Sequence, residues 1–244
     1  MKKVYLDNAA TTQINPKVVD EMTAVLANSY GNPSSTHFFG RDSKTIIELS
    51  RKFIANTFNA KPKEIFFTSG GTESNNMIIK SCVRHGVERI ITTKIEHKAV
   101  LNPILSLRNN LKVELEFLSI DCEGNPDLNE LKSLLSKPKK TLVSLMHINN
   151  EIGTMIDLKS IGSICHSHNA MFHSDTVQTI GHFPLDLSLI NIDFITCSAH
   201  KFHGPKGVGF TYINEKNKAF PLIEGGEQER GLRGGTESTH NIHG

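Results

Sequence analysis

The sequence predicts an α/β domain whose largely parallel sheet is covered by helices on both faces. From Glu64 onward, short apolar runs alternate with longer helical segments, the signature of repeated strand–helix units. The polar, Gly-rich motifs fall just after the apolar runs, and in such sheets ligands bind at the carboxyl ends of the strands. With 244 residues and 38% apolar content, the chain can bury the large core this fold requires.

Taken in order, residues 4–6 are expected to form a short strand leading into Asp7-Asn-Ala-Ala-Thr-Thr, whose small side chains allow backbone to approach a ligand or another segment. Asn15 and Pro16 predict an N-cap and first helical position, with Val18, Val19, Met22, Val25 and Leu26 on one face and a stop near Asn28. Residues 30–35 read as loop, and Ile46, Leu49, Phe53 and Ile54 mark the apolar face of a second helix. Strands are predicted at 65–67, 89–91, 113–118, 142–146, 171–172 and 192–197, with a further apolar run at 208–213. Helices are predicted around 76–83, 100–107, 128–135 and 158–168. There is no internal repeat and no low-complexity linker.

The formal net charge is +2, and charges of both signs are interspersed, so neither a nucleic-acid nor a membrane footprint stands out. The N-terminal run breaks at Asp7 before a signal-type apolar core forms, and no later run approaches spanning length, which predicts a cytoplasmic location. Cys82, Cys122, Cys165 and Cys197 form no Cys-x-x-Cys pair and are expected to be reduced. The spacing of Cys165, His166, His168 and His173 matches no common zinc pattern.

Candidate chemistry lies at several separate strand ends. Lys201, on the loop between residues 192–197 and 208–213, can act as a Schiff-base nucleophile if its surroundings lower its pKa, or can be an ordinary solvated lysine. Thr68-Ser-Gly-Gly-Thr72 can cradle an anion at a helix N-terminus or form a plain turn, and it is neither a Walker A loop nor a complete dinucleotide fingerprint. His97 can stack on a flat ring and exchange protons near neutral pH, or be an exposed residue at a helix entry. Asn149 and Asn150 can orient a ring substituent. Asp175 can keep a pyridine nitrogen protonated, making the ring an electron sink, or simply cap a helix. Gln178 stands three residues beyond it. Together these are the parts needed to hold pyridoxal 5'-phosphate.

The ordered set of motifs resembles the cysteine desulfurases of the class V aminotransferase family. The resemblance runs through Tyr5-Leu-Asp-Asn-Ala-Ala-Thr-Thr, Gly31-Asn-Pro-Ser-Ser, Phe67-Thr-Ser-Gly-Gly-Thr-Glu-Ser-Asn-Asn and Glu96-His-Lys-Ala-Val. It continues in His147-Ile-Asn-Asn-Glu-Ile-Gly, His173-Ser-Asp-Thr-Val-Gln, Ser198-Ala-His-Lys and Gly225-Gly-Glu-Gln-Glu-Arg-Gly-Leu-Arg-Gly-Gly-Thr.

The resemblance implies the large domain of a fold-type-I pyridoxal-phosphate transferase with a mostly parallel sheet of the seven-stranded type, over residues 16–244 after an N-terminal segment of residues 1–15. It implies that Lys201 holds the cofactor aldehyde, that His97 stacks on the ring, that Asp175 faces the pyridine nitrogen and Gln178 the phenolic oxygen. Asn150 is implied to lie near cofactor and substrate, and Thr72, Ser198 and His200 to hold the phosphate, with Gly71 lining their loop. It further implies a homodimer in which Thr236 reaches the neighbouring subunit's phosphate. The implied reaction converts L-cysteine to L-alanine and leaves an enzyme persulfide for iron–sulfur scaffold proteins or for thio-modification of tRNA.

Family members continue into a C-terminal small domain that carries the persulfide-forming cysteine and the arginine for the substrate carboxylate. None of the four cysteines here occupies that motif, and Cys197 reads as a core residue. The stretch is therefore expected to hold most of the cofactor site without completing sulfur transfer. Two other readings are a related lyase acting on selenocysteine or another amino acid, and a non-catalytic pyridoxal-phosphate-binding fragment. A histidine-based metal hydrolase would require a tightly bound metal.

Overall fold

The computed structural model describes residues 2–111 and 113–244. Among these the apolar runs become strands β1 (Ile65–Thr68), β2 (Arg89–Thr92), β3 (Glu114–Phe117), β4 (Thr141–Ser144), β5 (Met171–Asp175), β6 (Phe194–Thr196) and β7 (Gly209–Ile213). The helices are α1 (Pro16–Asn28), α2 (Phe38–Thr57), α3 (Gly71–Arg84), α4 (Lys98–Leu111), α5 (Leu128–Leu135), α6 (Leu158–Ser167) and α7 (Thr239–His243). The strands form one seven-stranded sheet in the order β1-β7-β6-β5-β4-β2-β3. β3, β2, β4, β5 and β6 run parallel, and β7 is antiparallel to both β6 and β1.

Successive strand residues point to opposite faces, and here both faces are apolar. Phe66, Ile90, Leu142 and Phe194 pack with Met77 and Ile78 of α3 and Ile104 of α4. Their sequence neighbours Ile65, Ile91, Val143 and Ile195 face the other layer, with Ile47 of α2, Leu131 of α5 and Ile161 of α6. Each such apolar side chain contributes roughly 1.5–3 kcal/mol on burial, so the sheet is held in place from both sides. Asp127 and Asp157 start α5 and α6 by accepting from two backbone N–H groups each, and Asn15 Oδ1 accepts from Lys17 N to start α1.

The structure corrects the sequence reading in several places. Residues 4–6 form no strand: Val4, Tyr5 and Leu6 are exposed, and no neighbouring strand pairs with them. On α1 only Val25 of the expected face is buried. On α2 the inward stripe is Gly40, Ser43, Ile47, Arg51 and Ala55, while Leu49 and Phe53 are 62% and 73% exposed. The inward stripe is interrupted by Arg51, which is buried because it pairs with Glu229, so apolarity found the half-buried Ile46 and Ile54 but also picked Leu49 and Phe53, which face outward. α3 starts at Gly71 rather than 76, because the paired glycines belong to the helix start. β4 ends at Ser144, two residues short of the expected end.

Candidate active site

The carboxyl ends of β2, β4, β5 and β6, the start of α3 and the segment before α1 meet around one cavity of about 460 Å³. The anion-seeking end is built first by backbone. Gly70, with φ 143°, precedes α3, and no side chain caps that helix N-terminus. Its uncapped N–H groups and the partial positive charge of the helix favour an anion. A Cβ at Gly71 would meet Val177 Cγ2 at 2.7 Å, so glycine is required where α3 crosses the segment after β5. Thr72, Ser198 and His200 line the same cavity. Burial and the charges of Lys201 and Lys206 lower the His200 pKa, and its Nδ1 lies 3.0 Å from Thr11 Oγ1.

Asp175, the last residue of β5, is buried among fixed donors. Its Oδ2 accepts from Asn75 Nδ2 at 2.7 Å and its Oδ1 from Val177 N at 3.0 Å. Asn75 lies four residues after Gly71, hence on the same face of α3. The carboxylate thus has a set direction within the cavity.

Lys201 ends a 3₁₀ turn, Ala199–Lys201, that follows β6. Its Nζ donates to Ala9 O and, at 3.0 Å, to Ala10 O. Burial lowers its pKa, with Asp175 and Asp7 pulling the other way, so the amine is more readily deprotonated than a solvated lysine. Gln178 Nε2 donates to Ala9 O at 2.9 Å, and Thr12 N donates to His200 O at 2.9 Å. The small residues before α1 therefore do permit the close backbone approach expected of them. His97 follows β2, and its Nδ1 accepts from Ala99 N at 3.0 Å, leaving Nε2 as the protonated nitrogen of the neutral ring.

Nine of the ten expected positions line this cavity: Gly71, Thr72, His97, Asn150 and Asp175 on one set of elements, with Gln178, Ser198, His200 and Lys201 on another. Thr236 does not. It lies in a smaller cavity of about 160 Å³ with Thr68, Ser69 and Arg233. Asn75, Met146 and Glu151 also line the cavity that holds Asp175 and Lys201, and the sequence alone does not single them out. Asn75 was detectable, since a helix beginning at Gly71 places position 75 beside the anion cradle.

An uncapped helix N-terminus, an amine of lowered pKa and a buried, doubly anchored carboxylate around one cavity fit a flat phosphorylated ring that carries an aldehyde and a basic nitrogen. The glycine positions that a Cβ would fill, and the two donors that orient Asp175, are the structural observations behind that fit.

The pattern of the aminotransferase class-V family matches residues 4–242. Cysteine desulfurase IscS of Dictyoglomus turgidum is 46% identical over 246 residues, covering 100% of this chain and 62% of that protein. The mitochondrial cysteine desulfurase of Saccharomyces cerevisiae is 43% identical over 241 residues, covering 96% of this chain and 48% of that protein. Among solved structures, a NifS-like protein superposes with a TM-score of 0.96 at 41% identity, over 99% of this chain and 67% of its own. SspA in complex with cysteine superposes with a TM-score of 0.94 at 34% identity, over 99% of this chain and 70% of its own. The chain therefore spans 62% of the bacterial IscS relative and about half of the mitochondrial one.

Proposed function

Because the chain belongs to the class-V aminotransferase family, we propose that it carries the cofactor site of a pyridoxal-phosphate-dependent cysteine desulfurase. The observation that carries this reading is that Lys201 and Asp175 line one cavity whose wall includes the uncapped start of α3. Gly71, Thr72, Ser198 and His200 would hold the phosphate, Asp175 the ring nitrogen, Gln178 the phenolic oxygen, and Lys201 the aldehyde carbon. Bound pyridoxal phosphate supplies an electron sink that labilises the Cα substituents of an amino acid.

The chain's own groups supply the rest. Asp175, held by Asn75 and Val177, offers a fixed negative charge that keeps a proton on the ring nitrogen. Lys201 Nζ, its pKa lowered by burial, takes and returns the proton at the substrate Cα. His97 lines the same cavity and would pack over the ring of a bound cofactor, with its Nε2 free to exchange a proton. The substrate is L-cysteine, with L-alanine as product and sulfur passed to a protein thiolate. Cys82, Cys165 and Cys197 are buried, and burial raises the pKa of each thiol, so none of the three is that thiolate. In a homodimer Thr236 would reach the partner's phosphate site, and an iron–sulfur scaffold protein would accept the sulfur. A cytoplasmic compartment suits four free cysteines.

Equilibrium dialysis against pyridoxal 5'-phosphate tests the reading. One equivalent should bind per chain, L-cysteine should perturb its absorption, and K201A or D175A should weaken retention. A folded chain that retains no cofactor contradicts the proposal.

A further inference from the structure

Glu96 precedes His97 in the turn between β2 and α4 and is 6% exposed. Its Oε1 accepts from Met146 N at 2.8 Å and from Thr93 Oγ1 at 3.4 Å, while Oε2 is buried without a partner. Met146 belongs to the segment beyond β4 that leads to Asn150, and it lines the cavity. The Glu96 carboxyl thus bridges the exits of two neighbouring strands, both of which supply residues to the cavity wall. A second tie runs beside it, from Asn149 Nδ2 to Ile95 O at 2.8 Å.

We infer that Glu96 is a positioning residue of this site: by spanning the β2–α4 turn and the segment after β4, it seats His97 over the cavity. The inference rests on the proposed cofactor reading only for its binding measurement. Geometry carries it, since the residue next to His97 is buried and hydrogen-bonded to the backbone of a different strand's exit. Electrostatics agrees. Burial, with the nearby charge of Asp175, pushes the Glu96 carboxyl up to about 8 despite its two donors. The titratable group that faces it is Asp175 from β5. The residues that share the small void against Glu96, among them Thr93, Asn149 and Thr154, do not titrate. At neutral pH burial thus favours the uncharged form of the Glu96 carboxyl, so that it clamps the turn without placing a second anion behind Asp175.

A double-mutant cycle tests the inference, with pyridoxal 5'-phosphate affinity measured by absorption titration at pH 7 for the parent chain, E96A, E96Q, H97A and E96A/H97A. Loss of a buried acceptor for a backbone N–H should misplace the turn, so E96A is expected to bind at least tenfold more weakly than the parent. In the H97A background the same change should cost less than threefold, because the residue being positioned is gone. E96Q keeps an oxygen for Met146 N and should rescue binding to within threefold of the parent. A loss below tenfold in E96A, a loss above threefold on top of H97A, or failure of E96Q to rescue overturns the inference. If E96A does not fold, or if the parent binds no cofactor and so sinks the functional reading itself, amide exchange at Met146 decides. Protection of that N–H in the parent and in E96Q is expected, and exchange at the rate of an exposed loop overturns the tie.

Discussion

Asn75 Nδ2 lies 2.7 Å from Asp175 Oδ2, so a side chain from the first two turns of α3 fixes the direction of a carboxylate 100 residues away at the end of β5. A hydrogen bond to a charged group contributes about 1.5–3 kcal/mol. N75L should lower stability in urea unfolding by about that amount and weaken pyridoxal 5'-phosphate binding together with it. Unchanged values for both would show that Asp175 is held by Val177 N alone.

A second buried pair sets the glycine-rich stretch that ends at Thr236. Arg51 Nη1 and Nη2 each donate to Glu229 at 2.8 Å, Arg51 also donates to Ile65 O, and Glu229 Oε2 accepts from Phe67 N. Glu229 and Arg230 sit at φ 46° and 58°, left-handed backbone held in place by these bonds. R51M strands the Glu229 carboxylate in the core and should cost about 3–5 kcal/mol. The R51M/E229L pair should cost less than R51M alone, as chemical denaturation of both variants will show.

Stability should depend on pH through three buried groups. Burial first, and Asp175 next, raise Glu96 to about 8 from an ordinary 4.5. The folded chain thus keeps a proton that the unfolded chain releases, and this group's stabilisation, full below pH 4.5, is lost as pH rises to about 8. His147 and His173 behave oppositely. Burial lowers them from 6.5 to about 4 and about 3, Asp157 partly opposing the shift at His147, so their contribution is full above pH 6.5 and is lost as pH falls through those values. Between 4.5 and 6.5 two histidines outweigh one carboxyl, which places the maximum of their combined effect near pH 6.5. Urea midpoints of E96Q should decline less between pH 6.5 and 8 than those of the parent. Parallel profiles would refute the Glu96 assignment.

Thiol accessibility gives a simpler check. Cys122 is exposed, whereas Cys82, Cys165 and Cys197 are buried. A chromogenic disulfide reagent should titrate one thiol per folded chain and four after denaturation. Rapid reaction of a second thiol in the native state would contradict the burial of Cys82, Cys165 and Cys197.

Much of this arrangement was legible in the sequence, for physical reasons that can be traced residue by residue. Strand exits could be located because apolar runs such as Ile65–Thr68 stop at glycines or polar residues, and a parallel sheet gathers those exits on one side. That is why Gly71, His97, Asp175 and Lys201 could be grouped before any geometry was known. What escaped depends on contacts between distant parts of the chain. The burial of Arg51 on α2 follows from Glu229, 178 residues later, and no helical period could reveal it. Glu96 reads as an ordinary surface acid until the segment after β4 closes over it. Residues 4–6 have strand-like composition, but a strand also needs a paired neighbour, and none stands beside them.

The central claim is that the Lys201 amine takes up the aldehyde of pyridoxal 5'-phosphate at a site floored by Asp175. Borohydride reduction of the cofactor-loaded chain followed by peptide mapping tests it most directly. The account predicts a single pyridoxyl group, carried on the peptide containing Lys201 and absent from K201A; a pyridoxyl group on any other lysine, or none on folded and loaded protein, would contradict it.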